Sequence, residues 1–194
     1  MRIAVSAVQG AFIEHEQMLS SLGVECFELR QRADLLRSFD GLVLPGGEST
    51  VQGKLLRELD MFDELHQQIR AGLPVLGTCA GLILLAEQLS NDPNVYFGTL
   101  PVTVRRNAYG RQLGSFYAEE SFQGQGVVPM KFIRAPYIES VREGVEIMAR
   151  VEGNIVAVRY HNQLGLSFHP ELCSDTRIHQ PFLSLVGQGS SSAA

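Results

Sequence analysis

Three short stretches of this chain carry side chains that could do chemistry together. In Gly77-Thr78-Cys79-Ala80-Gly81, a cysteine sits where an apolar strand-like run gives way to an apolar helix-like run. The pattern G-x-C-x-G at such a corner is the cysteine form of a nucleophile elbow, a tight turn that lifts a side chain clear of the sheet edge. Small neighbours suit the crowding, and the apex residue tends to a costly backbone conformation. A helix start beside the sulfur favours the thiolate, and the N–H groups that follow can stabilise an oxyanion. Cysteine is also among the most often buried residues, so position alone fits a core cysteine equally well. The glycine spacing tips the reading towards a nucleophile.

A thiol nucleophile needs a base, and the base needs an orienting partner. Ser167-Phe168-His169-Pro170-Glu171 offers both. In an extended segment residues two apart project to the same side, so Glu171 can hold His169 while the ring faces the thiol. Pro170 cannot donate to a ladder and marks a strand end, where the active sites of α/β sheets gather. Taken alone, His-Pro-Glu fits a turn with a solvated acid as well. His15, His66, His161 and His179 have no comparable setting. No His/Cys/Asp/Glu group shows metal-ligand spacing, so neither metal nor cofactor is expected. The third stretch is Leu44-Pro45-Gly46-Gly47-Glu48-Ser49-Thr50. Its two glycines let backbone approach a ligand and offer an N–H to a developing oxyanion, and Ser49 or Thr50 suits a helix cap. The phosphate-loop pattern G-x-x-x-x-G-K-[ST] is absent.

The elements that must position these residues alternate in the first half. Residues 2–8 form an apolar strand, and a helix over 11–22 puts Ala11, His15, Met18, Leu19 and Leu22 on one face, with Gly23 to stop it. "VECFEL" is the next strand, "ADLLRSF" a short helix and "GLVLP" a third strand. One helix follows with Leu55, Leu59, Phe62, Leu65 and Ile69 at helical spacing. Then come "PVLGT" and a central helix after Cys79 that is apolar nearly all round. Such alternation implies a parallel sheet with right-handed crossovers. The second half reads as strands: "VTVRRNA", "SFYAEESF", "MKFIRAP", "VEIMARV", "NIVAVRY" and "GLSFHP", several separated by Gly- or Pro-bearing breaks. A last helix over 174–186, capped by Ser174 or Asp175, and a disordered tail over 188–194 complete the chain. The expected fold is therefore one α/β domain over residues 1–187, with a mostly parallel sheet and an antiparallel extension.

The 194 residues suit one domain with a sizeable core. A net charge of −5 and the lack of any Lys/Arg cluster argue against a nucleic-acid partner. The longest apolar run falls well short of the ~20 residues that span a bilayer, so no membrane association is expected. Three cysteines make no disulfide framework, and a reducing cytoplasm is the expected compartment.

Taken together, "GTCAGL" and "SFHPEL" resemble the class I, triad-type glutamine amidotransferases. "VQGAFIEH", "GLVLPGGEST", "RNAYGRQ" and "FIRAP", in this order, resemble a narrower group within them: the glutaminase subunits of pyridoxal 5′-phosphate synthase. The resemblance runs from residue 8 to about 186. It implies a flavodoxin-like three-layer sandwich, with Cys79 as nucleophile, His169 as general base and then acid, and Glu171 as orienter. It further implies Gly47 and Ala80 as oxyanion-hole donors, and Gly47, Glu48, Ser49, Arg106, Ile133 and Arg134 as the residues that hold L-glutamine.

The implied reaction is hydrolysis of glutamine to glutamate and ammonia through a γ-glutamyl thioester. The ammonia would pass to a (β/α)₈-barrel synthase subunit that assembles pyridoxal 5′-phosphate. The Gly46-Gly47 peptide is a candidate movable element, and residues near Gln9-Gly10 and the first helix are candidates for the docking face. Competing readings are a glutaminase subunit of another complex, such as imidazole glycerol phosphate synthase, a stand-alone elbow-cysteine hydrolase, and a regulatory subunit with a vestigial site.

Overall fold

In the computed structural model, which describes residues 1–107 and 114–191, apolar residues bury both faces of three strands in the first half. Ile3 and Val5 point one way from β1 (Arg2–Ser6) and Ala4 the other. The same alternation separates Val43 from Leu42 and Leu44 in β3 (Gly41–Leu44), and Leu76 from Val75 in β4 (Val75–Thr78). A strand buried on both faces belongs inside a parallel sheet covered by helices. With β2 (Glu25–Leu29), these strands lie in the order β2-β1-β3-β4, all parallel. The fifth parallel position is filled from the far end of the chain by β12 (Gln163–Leu166), whose Leu166 lies opposite Thr78 of β4. The order is that of a flavodoxin-like sheet.

One face is covered by α2 (Ser49–Glu58), α3 (Phe62–Arg70) and the wholly buried α4 (Ala80–Leu85), through Leu56, Phe62, Leu65 and Ile69. The other is covered by α1 (Phe12–Ser21) and α5 (His179–Ser191), through Leu19, Phe182 and Val186, with Ile178 just ahead of α5. Beyond β12 the sheet turns antiparallel through β11 (Asn154–Tyr160), β10 (Glu146–Val151), β7 (Ser115–Phe122) and β8 (Gly126–Ile133). A branch of β5 (Ala86–Leu89), β6 (Leu100–Arg105) and β9 (Tyr137–Val141) joins β11 at Ile155–Ile138. The expected α/β sandwich with a parallel core and an antiparallel extension is the observed one.

Several boundaries differ from expectation, each for a local reason. The single helix expected through Leu55 to Ile69 is two, because Asp60 adopts φ +53°. Asp60 N–H closes on Arg57 O at 3.1 Å and Met61 N–H on Leu56 O at 2.9 Å, the paired bonds of a Schellman stop. The helix after Cys79 ends at Leu85, and Ala86–Leu89 becomes a strand by pairing with β6. The strand β9 was not expected. The last helix begins at His179 rather than 174, since the Asp175 carboxylate accepts from Arg177 N–H at 2.9 Å and from its guanidinium. That helix runs on through Ser191, past the expected boundary at 188, and 192–194 lie outside the described residues. So do residues 108–112 of the "RNAYGRQ" motif.

Close packing fixes the glycines of the Cys79 corner. A Cβ on Gly81 would stand 1.9 Å from the Leu44 carbonyl oxygen, and one on Gly77 would meet the Gly81 backbone at 2.8 Å. Gly81→Ala is expected to lower stability by about 1–3 kcal/mol or more, because main chain must move to admit the methyl. Urea unfolding measures this, and a loss within about 0.5 kcal/mol, as for an ordinary surface change, would contradict the steric account.

Candidate active site

The end of β4 delivers Cys79 in a conformation few L-residues adopt, φ +48° and ψ −97°. Such a backbone costs on the order of 1–3 kcal/mol and persists only where its surroundings over-determine it. Here the Cys79 N–H donates to Leu166 O on the neighbouring β12 at 2.8 Å, and Gly81 is seated on β3. The thiol is nearly buried, 7% exposed, with Sγ 4.0 Å from the Ile133 carbonyl oxygen.

Because β12 runs beside β4, the chain leaving its end brings His169 to the same rim. His169 and Glu171 do meet, but through a turn rather than an extended segment. Pro170–Leu172 forms a 3₁₀ turn, and His169 N–H is held by Lys131 O at 2.8 Å. His169 Nδ1–H donates to Glu171 Oε1 at 2.7 Å, and the imidazole and Cys79 line the same pocket. Burial works against a charge on His169. The neighbouring Cys79 and Glu171 side chains outweigh it and raise its pKa to about 10. Burial likewise opposes the Glu171 carboxylate, yet the imidazoles of His15 and His169 beside it hold it below the usual carboxylate range.

Behind this pair lies a polar cluster closed to solvent. His15 on α1 is fully buried, with Nε2 3.0 Å from Thr78 Oγ1 and 3.3 Å from Glu171 Oε2. Thr78 Oγ1 also accepts the Gly46 N–H at 3.0 Å. His179, equally buried, packs edge-on against His15 with ring centroids 5.8 Å apart. Burial first, and the neighbouring His15 second, push the His179 pKa down to about 3. The expectation that His15 and His179 lack a setting comparable to that of His169 is thus corrected: both line the back of the site. The signal was a histidine on the apolar face of a helix, since a buried ring nitrogen requires a polar partner.

In front, a pocket brings together Gly47, Glu48, Ser49, Cys79, Arg106, Ile133, Arg134 and His169. Ala80 follows Cys79 as the buried first residue of α4, and Glu171 stands behind His169. Arg134, at φ +43°, pairs with Glu48 at 3.1 Å across the pocket mouth. Arg106 is ion-paired with Asp92 and lies 3.3 Å from Thr50 Oγ1 through Nη2. The Asn94 N–H and then Arg106 hold the Asp92 carboxylate below its ordinary value. Gln9 also lines the pocket. Its Oε1 accepts Glu48 N–H at 2.8 Å, while Gln52 Nε2 ties Gln9 O to Pro45 O at 2.9 and 3.1 Å. Gly46 sits where a Cβ would stand 2.2 Å from the His169 ring, and its carbonyl accepts Ala11 N–H at 2.9 Å.

The chain belongs to the SNO glutamine amidotransferase family, whose model matches residues 5–188. It is 69% identical over 191 residues to the pyridoxal 5′-phosphate synthase subunit PdxT of Desulfitobacterium hafniense (strain Y51), covering 98% of this chain and 96% of that one. It is 56% identical over 187 residues to the protein of the same name from Methanocorpusculum labreanum, covering 96% and 98%. A solved crystal structure of a glutamine amidotransferase matches with a TM-score of 0.90 at 42% identity, covering 95% of this chain and 98% of that one.

His15 and His179, whose pKa values burial lowers, make the fold sensitive to acid. A histidine whose folded pKa is lowered binds its proton in the unfolded chain first, so stability falls as pH drops below about 6.5 towards the folded value. For His179, with a folded value of about 3, the loss between pH 7 and pH 4.5 is about 2–3 kcal/mol. His179→Leu is expected to shrink the pH 7 to pH 4.5 difference by about this amount. Urea unfolding at the two pH values measures it, and an unchanged difference would refute the assignment.

Proposed function

We propose that Cys79, His169 and Glu171 form the triad of a glutaminase subunit that hydrolyses L-glutamine to L-glutamate and ammonia. The ammonia is delivered to a (β/α)₈-barrel synthase subunit for pyridoxal 5′-phosphate, and so vitamin B6, synthesis. The observation that carries this reading is His169, hydrogen-bonded to Glu171 and sharing a pocket with Cys79, in a chain of the SNO family.

In this mechanism the Cys79 sulfur, its proton passed to His169, attacks the side-chain amide carbon. The Gly47 and Ala80 N–H groups stabilise the oxyanion of the tetrahedral intermediate. His169 then gives its proton to the departing nitrogen, which leaves as ammonia. Water that loses a proton to His169 cleaves the γ-glutamyl thioester, releases glutamate and restores the thiol. Glu171 keeps Nδ1 protonated and stabilises the imidazolium, in line with the raised pKa of His169. Arg106, Arg134, Glu48, Ser49 and Ile133 hold the glutamine. A guanidinium has five donors, so Arg106 can take an α-carboxylate while keeping Asp92.

Ammonia released into water takes up a proton and loses its nucleophilicity, so the acceptor must dock directly. The Ala11 N–H to Gly46 O bond links the start of α1 to the Gly46-Gly47 peptide. Docking near Gln9-Gly10 and α1 therefore bears on the oxyanion loop. A cytoplasmic location belongs to the same proposal. It is supported by three free cysteines and, among the described residues, by no helix long and apolar enough to cross a membrane.

Glutamate formation, measured with and without the synthase subunit, tests the reading. Wild type is expected to turn over in the complex, and Cys79→Ala to give no detectable product. Glu171→Gln is expected to retain activity reduced by about a hundredfold, since an orienter contributes geometry and charge rather than the reacting atom. Turnover that survives Cys79→Ala would overturn the assignment.

A further inference from the structure

We infer that His15 is a positioning residue, whose Nε2–H fixes the second oxygen of Glu171 and ties that carboxylate to Thr78 at the end of the nucleophile's strand. The inference rests on the proposed triad and extends it from three residues to a fourth.

The geometry is specific. Glu171 presents Oε1 to His169 Nδ1 at 2.7 Å, and its side chain is wholly shielded from solvent. A carboxylate held at one oxygen alone can rotate about its last torsion, and that rotation would carry Oε1 away from the ring. Oε2 makes no conventional hydrogen bond among the described residues, and the group facing it is His15 Nε2 at 3.3 Å. The same nitrogen lies 3.0 Å from Thr78 Oγ1.

These neighbours decide the tautomer. A lone pair on Nε2 would confront a carboxylate oxygen, whereas a proton there bonds Oγ1 and keeps a donor edge 3.3 Å from Oε2. Thr78 Oγ1 can accept it alongside the Gly46 N–H, since a hydroxyl oxygen has two lone pairs. One imidazole thus ties together the orienting carboxylate, the residue before Cys79 and the amide of the glycine loop.

The choice of histidine also follows. His15 is fully buried, and burial holds its pKa below the ordinary value, so at neutral pH it is an uncharged donor. A permanent cation in its place would compete with His169 for the charge of Glu171. A neutral N–H fixes the carboxylate and leaves that charge facing His169.

The test is a variant series in the complex with the synthase subunit, with kcat and KM for glutamate formation measured for each. His15→Gln can place its amide N–H where Nε2–H lies. His15→Leu keeps the bulk without the donor, and His15→Asn keeps an amide too short to reach Oε2. For Leu and Asn, kcat is expected to fall about tenfold or more with KM within about twofold of wild type. Gln is expected to restore kcat to within about threefold. A second readout needs neither partner nor glutamine: the pH dependence of Cys79 alkylation by iodoacetamide, with the modified site assigned by mass spectrometry. Its midpoint is expected to move in Leu and Asn and to stay with wild type in Gln.

If Leu fails to fold, the comparison of Asn with Gln decides. Wild-type kcat in Leu or Asn, or equal loss in Gln and Asn, would overturn the proposal. Failure of the glutaminase reading is a separate result, in which the wild-type complex forms no glutamate or Cys79→Ala keeps its activity.

Discussion

The structure depends on one crowded contact, the seating of the Gly81 backbone against the Leu44 carbonyl at the junction of β3, β4 and α4. No residue with a side chain fits there, and the contact leaves Cys79 little choice but its positive φ. With the Cys79 N–H anchored on Leu166, the sulfur is carried to the sheet rim and kept there. The strain is local, of the order of a single side-chain packing contribution, and the surrounding parallel core is large enough to sustain it. The immobility that makes Gly81 irreplaceable is the same immobility that gives the thiol a defined direction.

Behind that contact, charge is handled by exclusion of water. Glu171 lies between His169 and His15, and all three are buried. In such surroundings a hydrogen bond is strong and an unpaired charge is expensive, so each group's state is set by its neighbours. His169 is pulled towards the cation because two groups facing it can be anions, whereas His15 is pushed towards neutrality because burial dominates. Two imidazoles flanking one carboxylate therefore hold opposite protonation states at the same pH. Their positions make the difference, since the residue type is the same.

The features legible in the sequence are those in which a local rule suffices. Gly77-x-Cys79-x-Gly81 is readable because a corner between a strand and a helix has one steric solution. The doubly buried strands are readable because they are short apolar runs between turn residues. The break at Asp60 escaped because Leu59 and Phe62 keep the apolar spacing in phase across it, and only the capping bonds reveal the stop. Residues 86–89 suit a helix as well as a strand, and pairing with Leu100–Val104 decides between them. His15 escaped for a different reason: its partner Glu171 lies near the other end of the chain, and nothing at either position alone announces the other. An extended segment would bring His169 and Glu171 together, and a 3₁₀ turn achieves the same meeting.

The register of β4 against β12 has a further consequence. Thr78 and Leu166 lie side by side, so the strand ends that lead to Cys79, one residue on, and to His169, three residues on, are neighbours in one main-chain ladder. The separation of those strand ends is inherited from the spacing of neighbouring strands, about 4.8 Å, which side-chain composition hardly alters. Sequence drift in the apolar layers can loosen the molecule, slow its folding or lower its melting temperature while the spacing of those strand ends stays almost constant. Reactivity in this architecture is insulated from the core that supports it, and mutation will erode durability long before it disturbs alignment.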